Sequence, residues 1–214
     1  MNRIFPILFL SIFAYCCASE SPCKTCDSIP ARQDSISSEI KSASCETYTK
    51  DRTHLFGSWK THKCRNTRAA LLAARSLDST TGECTIHSGK WTDAYTDSIF
   101  TIARKVEIDH IVPLDEAYRS GAYDWSREQR VEFANDTLEL AITSTHQNDA
   151  KGSKDVAEWL PQLHAKEYCI RWAQIKKKYS LVIDKKELEA LGKYVAKDDL
   201  PKLGNKVNCV GVAH

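Results

Sequence analysis

The sequence predicts an α+β fold, and three observations lead to it. Short β-rich runs bounded by turn residues stand between stretches with helix formers and capping residues. The 214 residues are 42% apolar with only 8 Gly and 6 Pro, a balance that excludes collagen-like and wholly disordered chains. No internal repeat or long charge run divides the chain, and its length fits one domain with a proper core rather than a multidomain machine.

The first element is a targeting segment. Arg3 precedes an apolar run over residues 4–15, followed by small residues ending at Ala18. This run is too short to span a bilayer and reads as a signal peptide over residues 1–18, so the chain is expected outside the cell, with no membrane association after cleavage. Removing it takes away Arg3, Cys16 and Cys17 and leaves 29 basic against 28 acidic residues and seven cysteines. Bulk charge is then silent on the partner, because only a local basic groove would matter.

Seven cysteines in an exported chain imply disulfides and one thiol left over or paired between chains, so a monomer is expected with a linked dimer still open. The expected pairs are Cys64 with Cys84 and Cys169 with Cys209. Residues 19–46, with Cys23, Cys26 and Cys45 among Ser, Lys and Asp, read as a flexible leader, and residues 47–214 as the folded domain.

Within that domain, Asn66 caps a short helix over 66–77 with Leu71, Leu72 and Ala74 toward the core. Thr81-Gly82 and Ser88-Gly89 mark turns, and residues 99–102 and 106–112 are β-rich. In the second run Val106, Ile108 and His110 share one face while Glu107, Asp109 and Ile111 share the other, and Pro113 closes it. Ser126-x-x-Gln129 is a capping box for a helix to Ala134. Residues 137–143 read as a short strand, and residues 144–152 as a polar stretch. A helix capped by Ser153 and stopped by Pro161 follows, then helices over 162–179 and 185–195, the last opened by an Asp184-x-x-Glu187 cap. Trp125, Trp159 and Trp172 read as core residues.

The chemistry-bearing segment runs EIDHIVPL, FANDTLELAIT, HQNDAKG. Pairing of its two strands brings Asp109, His110 and Asn148 within one metal's reach. Asp109 offers a hard oxygen, Asn148 a neutral oxygen, and His110 an imidazole able to take a proton from water near neutral pH. Such a set suits phosphodiester hydrolysis with one divalent ion, Mg2+ or Mn2+. The rival reading for His110 is a histidine bonded to a backbone carbonyl, and for Asp109 and Asn148 local turn capping.

Asp109-His110-Ile-Val-Pro-Leu, a following Asn135 and then Asn148-Asp-Ala-Lys151-Gly resemble the HNH (ββα-metal, or His-Me finger) nucleases. The longer string from Asp109 to Pro161, with YTKDRTHLFGSW, KCRNTR and the CIRWAQIKKKYSLVIDKKELEAL tail, resembles the secreted HNH family related to the C-terminal domain of GmrSD restriction enzymes. The resemblance implies a ββα-metal core wrapped by helices and disulfides, with nucleic acid, DNA and possibly RNA, as substrate. It assigns Asp109 and Asn148 to the metal, His110 to general base catalysis and Asn135 to support of the catalytic loop. Glu107, two residues before Asp109 on the same strand face, is a candidate auxiliary ligand or a support behind the ligands, and Lys151 a phosphate contact or loop cap. Arg119 and Arg130 are weaker candidates for phosphate contact. The competing class is a secreted, cysteine-rich binding or effector protein that keeps the scaffold without turnover.

Overall fold

The computed structural model describes residues 52–207, and the expected signal segment, the leader and Cys209 lie outside the described residues. The described residues open with α1 (Arg52–Phe56), a hairpin of β1 (Thr61–His62) and β2 (Arg65–Asn66), and α2 (Thr67–Ala74). Asn66 caps α2 by accepting the Ala69 amide at 2.9 Å, as its residue type predicts. The hairpin tip is tied to a distant loop by the Cys64–Cys84 disulfide. Replacing Cys64 and Cys84 with Ser is expected to cost about 3 kcal/mol of stability, measured by thermal denaturation of the oxidised protein against the double variant.

Next come β3 (Ser88–Thr92) and β4 (Ile99–Ile102), an antiparallel pair with a register irregularity between Ser88 and Trp91. Ser88-Gly89 therefore belongs to a strand rather than to the expected turn. A Cβ on Gly89 would lie 2.6 Å from the Trp91 ring and 2.7 Å from the Ser76 hydroxyl, so close packing requires the glycine there.

The central pair is β5 (Val106–His110) with β6 (Leu140–Ser144), antiparallel, with Glu107 opposite Thr143 and His110 opposite Leu140. The excursion between them holds α3 (Leu114–Arg119), a 3-10 turn and α4 (Arg127–Ala134), whose Ser126–Gln129 capping box forms as expected. β6 runs directly into α5 (Thr145–Lys151), which packs against both central strands. The polar stretch 144–152 thus contains a helix, because the Ser144 hydroxyl accepts the Gln147 amide and caps it. Strand, excursion, strand, helix is the order that places the site.

The tail consists of α6 (Ala165–Lys178) and α7 (Lys185–Leu191), the latter with its Asp184–Glu187 capping box in place. No helix forms at 153–160. Asp155 instead holds a turn, its side chain accepting the Ala157 amide and its carbonyl the Trp159 amide.

Two apolar clusters flank the central pair. Ala69, Leu71, Leu72, Trp91, Val106, Leu140 and Ile142 fill one; Phe56, Ile111, Val112, Tyr118, Phe133, Trp172 and Leu181 anchor the other. Cys169 lies fully buried in the second cluster as a free thiol, which corrects its expected pairing with Cys209. On the inward face of α6 it packs as a small apolar side chain, and burial pushes its pKa up to about 11.

Beneath α3, α6 and α7 the Lys176 ammonium lies 2.6 Å from Glu116 and 2.7 Å from Glu187, all three fully buried. Lys206 joins Glu116, Asp155, Asp184 and Glu187 in the same network. Asp155, Asp184 and Glu187 are grouped closely enough for a metal, yet the Lys206 ammonium already pairs with all three.

Candidate active site

β5 presents alternate residues to its two faces, and the candidate side chains divide accordingly. On one face, Glu107 receives the Asn148 side-chain amide at 2.6 Å on one oxygen and the Thr145 hydroxyl at 3.0 Å on the other. The Thr145 and Asn148 positions follow from α5, whose first turns lie beside Glu107, and both Glu107 and Asn148 are half-buried. The result is an open cluster of a carboxylate, an amide and a hydroxyl, the oxygen-rich chemistry that hard divalent ions accept.

Asp109 shares that face but lies deeper, 5% exposed. One of its oxygens accepts the Lys151 ammonium at 2.9 Å and the other the Tyr95 hydroxyl at 2.5 Å. Burial raises its pKa, opposed by the Lys151 charge and these hydrogen bonds. Asp109, expected as a metal ligand, is held in an internal ion pair, because a carboxylate this deep needs a neutralising partner and α5 supplies one. Lys151, fully buried, also donates to the His110 carbonyl at 2.7 Å. It therefore clamps the end of β5 and is not available to a substrate phosphate.

On the opposite face His110 is held by a hydrogen bond and a ring stack, among other contacts. Its Nε2 lies 3.0 Å from the Ala134 carbonyl, and its ring stacks on Trp59 with centroids 5.7 Å apart and planes 5° from parallel. A carbonyl only accepts, so Nε2 carries the proton, and in the neutral ring Nδ1 is the basic nitrogen. The rival reading of a carbonyl-bonded histidine and the general-base reading are thus compatible, since that bond selects the tautomer a base requires.

Asn135 follows Ala134 and explains why the carbonyl stays in place. Its side-chain amide donates to the Val131 carbonyl at 2.8 Å, and its oxygen accepts the Lys60 amide at 2.8 Å and the Thr67 hydroxyl at 2.6 Å. These bonds tie the end of α4 to the β1–β2 hairpin. Asn135-Asp136-Thr137 is also a glycosylation sequon. With its amide engaged, Asn135 is expected to carry no glycan, and an intact-mass measurement of the protein secreted from a eukaryotic host checks this.

The two arginines assigned to phosphate serve the fold. Arg119 pairs with Asp115 and Glu116 at 3.1 Å each. Arg130 donates to the carbonyls of Leu55 and Ala122. Sequence reasoning missed Trp59 and Tyr95, because an aromatic carries no catalytic signature until its partner is known. It also missed Glu139, which is fully buried below the end of β5. One of its oxygens accepts the Val112 amide at 2.9 Å and the other has no hydrogen-bond partner, so burial raises its pKa well above the usual carboxylate range.

An uncharacterized secreted protein of Arthroderma benhamiae is 35% identical over 131 residues, which make up 59% of this chain and 64% of that protein. The chain thus matches less than two thirds of that relative's length. No solved structure matches. The model of one family, GmrSD restriction endonucleases, C-terminal domain, matches residues 41–194. By that match, over most of its length, the chain belongs to the family of GmrSD restriction endonuclease C-terminal domains.

Proposed function

We propose that this protein is an exported, metal-dependent endonuclease of the HNH type, hydrolysing phosphodiester bonds of DNA and possibly RNA with little sequence preference. The observation that carries the reading is the holding of His110: Nε2 bonded to Ala134, the ring stacked on Trp59, and the carbonyl behind Ala134 braced through Asn135. In this role Nδ1 of His110 takes the proton from the attacking water, and Asn135 acts through the loop it fixes. Family membership supports nuclease chemistry, and the secreted relative supports export.

The donor set fits one hard divalent ion, Mg2+ or Mn2+. Glu107 and Asn148 would hold it, Asn148 turning its amide to present the oxygen, with Thr145 beside them. When bound, the ion supplies charge to offset that developing on the phosphate and the leaving oxygen. Asp109 and Lys151 hold β5 against α5 and so keep Glu107 facing Asn148. The Asp109-centred assignment gives way to Glu107 because only the latter carboxylate is open.

A manganese titration followed by electron paramagnetic resonance tests this assignment apart from turnover. Glu107→Gln is expected to abolish tight Mn2+ binding and metal-dependent plasmid cleavage while leaving thermal stability within about 1 kcal/mol of the parent. Unchanged Mn2+ binding in Glu107→Gln, with loss in Asp109→Asn, would return the ion to Asp109.

A further inference from the structure

The stretch 58–77 contains Lys60, Lys63, Arg65, Arg68 and Arg75 and no acidic residue, in a chain whose overall charge is close to neutral. None of the ion pairs among the described residues involves any of these cations. Where their guanidinium groups are engaged, the partners are neutral carbonyls. Arg65 donates to Glu83, Arg68 to Ala103 and Val106, and Arg75 to Leu140 and Thr137. A carbonyl orients a guanidinium and leaves its charge uncompensated, as at Arg65 and Arg75, whereas Arg68 also feels the Glu107 carboxylate. The opposite situation holds beneath α3, α6 and α7, where Lys176 and Lys206 sit among several carboxylates.

Three of these cations, Lys60, Arg65 and Arg75, line a groove of about 590 Å3 between the β1–β2 hairpin and α2, together with His62 and Asn135. The groove adjoins the site through two chain neighbours. Lys60 follows Trp59, which stacks on His110, and Asn135 follows Ala134, whose carbonyl holds the same ring. The Cys64–Cys84 disulfide fixes the hairpin wall, so Lys60 and Arg65 are presented on a braced support.

We propose that this groove binds the phosphate backbone of the nucleic acid, feeding the strand to His110. The proposal rests on the nuclease reading and names the surface that reading lacks. Contacts of this kind are sequence-independent, in keeping with cleavage of little sequence preference.

The test is anisotropy of a fluorescein-labelled DNA duplex, and of an RNA stem-loop, with the full chain in EDTA, from about 50 to 200 mM salt. The double variant Lys60→Gln/Arg65→Gln is expected to bind roughly tenfold more weakly at the low-salt end. Its log–log salt dependence is expected to be less steep by about 0.9 for each cation removed. Lys60→Glu alone guards against misfolding, because the Lys60 side chain is exposed and its structural bond is made by the main chain. It is expected to weaken binding more than Lys60→Gln. Lys197→Gln/Lys202→Gln removes the same charge from exposed positions outside the groove and is expected to bind as the parent does. Equal weakening in both double variants, or none in either, overturns the groove while cleavage by the parent keeps the nuclease reading. A parent that neither binds nor cuts overturns both.

Discussion

Replacing Lys151 with methionine is expected to destabilise the protein by about 3–5 kcal/mol, the cost of stranding a buried carboxylate without its partner. For a domain of this size that lowers the melting temperature by roughly 6–20 °C. The ammonium is fully buried and meets Asp109 at 2.9 Å and the His110 carbonyl at 2.7 Å, so methionine fills the volume and supplies neither bond. The effect should depend on pH. Burial already raises the Asp109 pKa in the folded state, and removing the ammonium that opposes this raises it further. A carboxyl whose folded pKa lies above its unfolded value favours folding below the unfolded pKa, and that contribution is lost as pH rises through the folded pKa. The deficit of Lys151→Met is therefore expected to be smaller near pH 4 than near pH 7. Denaturant titrations at the two pH values check this, and an equal deficit at both would mean that Asp109 is not the group left stranded.

His110→Ala is expected to lower the cleavage rate by about 10²–10⁴-fold, the range that a positioned general base contributes. Its stability should fall far less than that of Lys151→Met, because the ring is only half-buried and no buried charge is left without its partner. The two substitutions thus separate the proposed base from the ion pair that braces β5 against α5. Loss of cleavage with fold retained marks His110; loss of fold marks the Lys151–Asp109 pair.

Much of this was legible in local sequence. The caps at Asn66, Ser126 and Asp184 are short-range patterns whose hydrogen bonds close within three residues, and all three formed. The alternation of Glu107 and Asp109 against Val106, Ile108 and His110 needed only the strand period. What escaped reading depended on depth and on partners distant in sequence. Period two places Glu107 and Asp109 on one face without saying which is buried, and burial turned Asp109 into an ion-pair anchor. Lys151 and Asp109 are 42 residues apart, and Trp59 reaches His110 from another part of the chain. Cys169 was assigned by counting cysteines, whereas its place on the inward face of α6 makes it an apolar side chain. The helix at 145–151 was hidden by polar composition, since one face of it meets charged groups rather than a hydrophobic core.

The most direct test of the central claim is cleavage of plasmid DNA and of a structured RNA by the oxidised, purified protein, with Mg2+, Mn2+ or EDTA, beside His110→Ala. The account predicts cutting that requires the metal, stops in EDTA and is lost in the variant. Cutting undiminished in a pure, folded His110→Ala preparation would contradict the mechanism. No cutting by the folded parent with any metal would leave a nuclease scaffold used for binding alone.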